Sequence, residues 1–240
     1  MKQLIVTAVL LFGFNLSAAS LIEVDDVNQV AAAYGVPAEK LLQTADIKLE
    51  DAAKISVNGP QSIVAVPGQK DTFFLYGSRI IYLKNKPADK VSVAFELTSS
   101  MPVPPPVEQI WDRKTEALTE NHFITTYGLK ASQSKLIVKV TTICKGATHH
   151  VAVSAAERLV QNKWIDCVDE NDSKKLWYPT GILSSRVVAL SPTVTAVLVH
   201  NMIVVKRHRV GFITPSKEQI FEMAMKAAED TLEGFLKRLK

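Results

Sequence analysis

Apolar positions along this 240-residue chain change their period several times, and each change marks an element. The first stretch, Leu4 to Phe14, is apolar apart from Thr7 and follows the single charge of Lys2. It ends in Ser17-Ala18-Ala19, the small residues that a signal peptidase needs, so residues 1–19 read as a cleavable secretory signal. As a helix this run would be roughly 16 Å long, too short for a bilayer core of about 30 Å. An uncleaved N-terminal anchor remains the alternative. No cysteine stands directly after the cleavage site, which argues against a lipoprotein, and no later stretch is apolar enough to span a membrane.

Residues 20–56 carry a helical period. Val27, Val30, Ala31 and Tyr34 are spaced i, i+3, i+4, i+7 behind Asp25 or Asp26 as caps, and Gly35 ends the run. Pro37 is placed to start a second helix bearing Leu41, Leu42 and Ala45, and Glu50 to Ala53 a third. The phrase Ala33-Tyr34-Gly35-Val36-Pro37-Ala38-Glu39-Lys40-Leu41-Leu42 resembles the helix-turn-helix piece of peptidoglycan-binding LysM modules and the entry helix of lytic transglycosylases. That resemblance implies a wall-glycan ligand and carries no functional residue over. Read from its residues alone, the phrase is a helical hairpin.

From Lys54 the period becomes two. Ile55–Val57, Ser62–Val66, Thr72–Tyr76, Arg79–Leu83 and Val91–Leu97 read as strands, punctuated by Asn58-Gly59-Pro60, Pro67-Gly68 and Gly77-Ser78. Consecutive prolines in residues 101–107 make a stiff linker, because proline donates no backbone hydrogen bond and favours extended chain. Val107 to Leu118 reads as a helix with Ile110, Trp111 and Leu118 available for packing. Lys135–Cys144, His150–Ala155 and Val187–Leu190 read as further strands. Thr193 to Ile213 reads as a long hairpin turning near His200-Asn201, either central in the sheet or projecting towards a partner.

The last period is helical again. Ser216 and Gln219 form a capping-box pattern behind Pro215, and Phe221, Met225, Ala228, Leu232, Phe235 and Leu239 recur at spacings of three and four. The expected helix covers 216–240. Its apolar face, with Phe221, Met225, Leu232, Phe235 and Leu239, is a candidate interface, against its own sheet or against another chain.

The predicted architecture is therefore α+β and mainly antiparallel, with sandwich-like sheets, a short N-terminal helical segment and a long C-terminal amphipathic helix. Its parts would be the signal at 1–19, the helical segment at 20–56, a β-rich subdomain at 57–100, the linker at 101–107 and a β-rich domain at 108–240.

Composition narrows function without naming it. An apolar content of 47% supports a packed core, and a net charge of +4 is too mild to imply nucleic acid. Lys206, Arg207, His208 and Arg209 concentrate positive charge and form a candidate surface for an anionic partner, such as an envelope polymer, lipid headgroups or an acidic protein. The two cysteines, Cys144 and Cys167, are expected to pair as a disulfide in an oxidising compartment.

Catalytic patterns are weak. Cys144, His149, His150 and Cys167 offer zinc ligands at a spacing that matches no standard site, and adjacent strand histidines point to opposite faces. The acidic run Asp166 to Ser173 lacks the glycine and glutamate of a calcium loop and reads as an exposed polar turn. No G-x-S-x-G elbow and no phosphate-binding glycine loop can be written from the ten glycines. No cofactor and no metal are expected. The leading expectation is an exported, periplasmic or secreted, non-catalytic protein of the cell envelope, working with protein partners or as a homo-oligomer, for instance in a secretion, conjugation or surface-assembly machine. A secreted hydrolase of wall polymer or peptide and a wall-glycan-binding protein are the alternatives.

Overall fold

The computed structural model describes residues 27–96, 110–117, 122–133, 136–209 and 214–240; the side chains of 110–140, Ala38 and Tyr178 lie outside the description. Its strands are β1 Ser56–Ala65, β2 Thr72–Lys84, β3 Ile110–Ala117, β4 His122–Gln133, β5 Leu136–Ala152, β6 Glu157–Asp169, β7 Asp172–Ser191 and β8 Val194–Lys206. Its α-helices are α1 Val27–Ala33, α2 Ala88–Ala94 and α3 Lys217–Lys237. The expected signal segment and the 101–107 linker lie outside the described residues.

The described strands form one curled antiparallel sheet in the order β1-β2-β8-β7-β6-β5-β4-β3, rather than the expected sandwich of sheets. The physical reason is that both faces of this single sheet are covered by other elements. One face carries α2 and α3. There Ile81, Val160, Leu183, Val187, Val197 and Val199 pack against Val91, Ala94 and Phe95 of α2 and Leu232 and Phe235 of α3. The opposite face carries the N-terminal segment, where Val30, Ala31, Tyr34, Val36 and Leu41 pack on Phe74, Tyr76, Ile182, Met202 and Val204. Tyr34 stacks on Phe74 with centroids 4.3 Å apart. Ala52, with Leu42 and Ile47, continues that cover over Ile80, Tyr82, Ala196 and Leu198.

The N-terminal segment has one short α-helix, α1, followed by 3-10 turns at Ala38–Lys40, Thr44–Asp46 and Leu49–Ala53 in place of the expected second and third helices. α3 starts at the predicted capping box: Ser216 Oγ accepts from the Gln219 amide, and Gln219 Oε1 accepts from the Ser216 amide.

Four expectations are corrected. The expected strand Val91–Leu97 is not a strand over its described residues, which end at Glu96. Residues 88–94 form α2, because Val91, Ala94 and Phe95 also satisfy i, i+3, i+4 spacing, and Pro87 caps the turn. Ile110–Ala117 is not helical; it pairs along β4 from Ile110↔Leu129 to Ala117↔Phe123. Gly77-Ser78 is no turn, since both residues lie inside the unbroken β2 ladder with β8. His200-Asn201 does not turn a hairpin either. Both lie mid-strand in β8, paired with Ser78 and Gly77 on one side and Ser184 and Leu183 on the other. β8 is thus a sheet-central strand, and it joins β2, which precedes residues 101–107 in the chain, to β7, which follows them.

Candidate functional site

Register places two polar rungs back to back across the sheet. On the face under α3 the rung reads Thr148, Asn162, Leu183, Asn201, Gly77, Gln61 from β5 to β1. On the other face the neighbouring rung reads His149, Gln161, Ser184, His200, Ser78. Most of these side chains are buried, so each polar group needs a partner or a ligand.

Under α3 the rung is satisfied at one end and open at the other. Thr148 Oγ1 donates to Asn162 Oδ1 at 2.8 Å, and Asn162 Nδ2 donates to the Phe95 carbonyl at 2.7 Å, which ties β5 and β6 to the end of α2. Arg238 fixes the same α2 end from α3, donating to the carbonyls of Ala94 at 3.2 Å and Glu96 at 2.7 Å; burial lowers its pKa. Further along, beside Gly77, a crevice of about 40 Å³ lies between the sheet and α3. Leu183, Val199, Met225, Ala228 and Leu232 supply apolar walls, and Asn201 and Gln61 supply amides. Arg79 and Glu229 also line the crevice and form an ion pair at 3.1 Å. In the adjacent rung Ser185 Oγ is buried without a hydrogen-bond partner.

A second concavity lies where β2, β7 and β8 meet at one end of the sheet. This open groove, about 720 Å³, is lined by Lys70, Asp71, Leu176, Pro179, Lys206, Arg207 and His208 among others. Three of the four basic residues singled out from sequence, Lys206, Arg207 and His208, therefore share one groove. Lys70, 136 residues before Lys206, joins them through the turn between β1 and β2. Arg209 follows the strand outside the groove lining. The contribution of Lys70 was not legible from spacing, because only the β2–β8 register brings it there.

Cys144 and Cys167 are joined in a disulfide, so neither sulfur is available to zinc or to thiol chemistry. His150 Nδ1 lies 2.5 Å from Glu96 Oε1 on the helix-bearing face, whereas His149 belongs to the rung of the opposite face. The acidic run forms the end of the β6–β7 hairpin: Asp169 and Asp172 carboxylates accept the amides of Asn171 and Lys174. Of the α3 residues proposed as an interface, Met225, Leu232 and Phe235 are buried, and Phe221 and Leu239 are half-buried against the chain's own sheet and α2. No described helix is long and apolar enough to cross a membrane.

No family model matches the chain, and no curated protein matches it in sequence. Among solved structures it is similar to the Zhui aromatase/cyclase from Streptomyces sp. R1128, at 12% identity and a TM-score of 0.46, over 69% of this chain and 93% of that one. It is similar to a START superfamily protein from Mycobacterium smegmatis at 10% identity and a TM-score of 0.42, over 68% of this chain and 96% of that one. Human STARD10 is similar at 10% identity and a TM-score of 0.42, over 74% of this chain and 73% of that one. Likenesses at this level assign neither ligand nor activity.

Proposed function

We propose that the chain is an exported, non-catalytic binding protein of the cell envelope that takes a neutral, largely apolar small molecule between its sheet and α3. The observation carrying this reading is the crevice beneath α3, where a polar rung ends in Asn201 and Gln61 among the apolar walls of Leu183, Val199, Met225 and Leu232. Apolar walls with a few convergent hydrogen-bonding groups are the usual make-up of a small-molecule pocket. At about 40 Å³ the crevice is small against ligand pockets of about 300–1,000 Å³. Occupation therefore requires α3 to lift from β2. The partly exposed Arg79–Glu229 pair resists that movement little, since exposed ion pairs contribute about 0.2–1 kcal/mol. Export is supported by the signal-like residues 1–19 and by the disulfide, which suits an oxidising compartment.

The test is native mass spectrometry of the chain purified from its host without denaturant, followed by back-titration with the extracted small molecule. A retained apolar adduct that Ala228→Phe expels, with melting temperature preserved, is the expected result. A protein that emerges empty and binds nothing from a host lipid extract would overturn the reading.

A further inference from the structure

We infer that the groove at the meeting point of β2, β7 and β8 is a binding site for phosphate groups, separate from the crevice under α3. Its lining holds three fixed cations, Lys70, Lys206 and Arg207, against one carboxylate, Asp71. That carboxylate is already engaged. Asp71 Oδ1 accepts from Arg207 Nε at 3.0 Å and from Arg207 Nη2, while the Arg207 amide donates to the Asp71 carbonyl at 2.7 Å. The guanidinium also sits over the Phe73 ring, 5.8 Å from its centroid. Arg207 is thereby held in one orientation, with Nη1 left over after Asp71 has taken the other two nitrogens.

Lys70 and Lys206 are exposed and make no ion pair among the described residues. His208 completes the wall, with Nε2 donating to the Leu176 carbonyl at 2.7 Å and its ring edge-on to Trp177. A pre-oriented guanidinium edge flanked by two unpaired ammonium groups suits phosphate, whose several oxygens and higher charge draw on all three cations. The phosphate would come from a lipid headgroup or from a free phosphate compound.

The experiment compares the purified full chain with K70Q/K206Q and with a control, K90Q/K240Q, that removes the same charge elsewhere. One arm titrates inorganic pyrophosphate. The other measures co-sedimentation with phosphatidylcholine vesicles, with and without phosphatidylglycerol. Removing the two lysines should weaken vesicle binding roughly 30-fold, or pyrophosphate binding in the same direction, with the control unchanged. Binding to pyrophosphate assigns a free phosphate compound. Binding only to the phosphatidylglycerol vesicles assigns a headgroup. The inference is overturned if neither probe binds, or if K90Q/K240Q loses as much as K70Q/K206Q.

Discussion

His200 holds the N-terminal segment to the sheet: its Nε2 lies 2.9 Å from the Leu42 carbonyl, while the Leu42 amide donates to Ser78 Oγ at 3.2 Å from the next strand. The imidazole is 5% exposed, and burial is the main cause of a lowered pKa. The Arg186 charge lowers it further, and the hydrogen bond to Leu42 opposes both. The folded state thus prefers neutral His200, whereas the unfolded chain protonates near the ordinary value of about 6.5. A lowered histidine pKa contributes stability that is fully present above the unfolded value and is lost as pH falls through the folded one. Urea midpoints measured from neutral to mildly acidic pH should drop below about pH 6.5 in the wild type. His200→Gln should flatten that part of the profile, and an unchanged profile would remove His200 as its source.

Asn162 is fully buried, accepts from Thr148 and donates to the Phe95 carbonyl. Asn162→Ala removes both of these hydrogen bonds from a buried site. Each such hydrogen bond contributes about 0.5–1.5 kcal/mol, so a loss of roughly 1–3 kcal/mol is expected in chemical denaturation. Thr148→Val removes only one of the two and should cost less. Equal costs for the two variants would mean that Asn162 does not bridge β5, β6 and α2 as described.

These rungs also explain what could be read from residue order and what could not. α3 was legible because Phe221, Met225, Leu232 and Phe235 repeat at helical spacing behind the Ser216–Gln219 box, and all the signals are local. The disulfide was legible from the even cysteine count and the signal-like residues 1–19. His200-Asn201 was misread as a turn because two polar residues interrupt an apolar run. In the sheet they are the points where two polar rungs, one on each face, cross β8, and that arrangement exists only through β2 and β7. Val91, Val93 and Phe95 alternate as a strand would, but Val91 and Phe95 are buried together with Ala94, while Val93 is exposed. Short segments fit both periods, and the packing of Phe95 against Phe235, centroids 5.4 Å apart, decides between them. The basic groove was half legible: Lys206, Arg207 and His208 are contiguous, but Lys70 and Asp71 arrive through strand pairing alone.

Gly59 sits in the irregular stretch of β1 between Asn58 and Gln61, where the register on β2 shifts. A Cβ built there would lie 2.3 Å from Ser78 Oγ and 2.8 Å from Leu42 Cγ. Both neighbours belong to the tie made by His200, so a side chain at 59 pushes directly on it. Gly59→Ala should destabilise by about 1–3 kcal/mol, the usual range for overpacking. Ser78→Ala alone removes the hydroxyl that Leu42 uses and should cost about 1 kcal/mol. The double variant should cost less than the two added together, because Ser78→Ala also removes the closest clash. Strict additivity in thermal melts would show that Gly59 and Ser78 do not compete for that space.

The Cys144–Cys167 bridge joins neighbouring strands where their ladder is irregular. Ile143 pairs with Val168 but Lys145 pairs with Ile165, so two β6 residues, Asp166 and Cys167, stand opposite Cys144 alone. This is a β-bulge, a place where pairing is weakest and slippage easiest. Asp166 there adopts a φ of 49°, a left-handed conformation unfavourable to most side chains. The bridge spans a sequence separation of 23, and closing a loop of that size in the unfolded chain is worth about 3 kcal/mol. Cys144→Ala/Cys167→Ala, or reduction of the wild type, should lower unfolding free energy by about that amount. The bulge localises a second effect. Amide exchange should quicken most at Thr142 to Lys145 and Ile165 to Asp169, and least in β2 and β8, whose thirteen-residue ladder runs without a shift. Exchange that rises uniformly across the sheet would show that the disulfide acts only through the unfolded chain and does not hold the bulge.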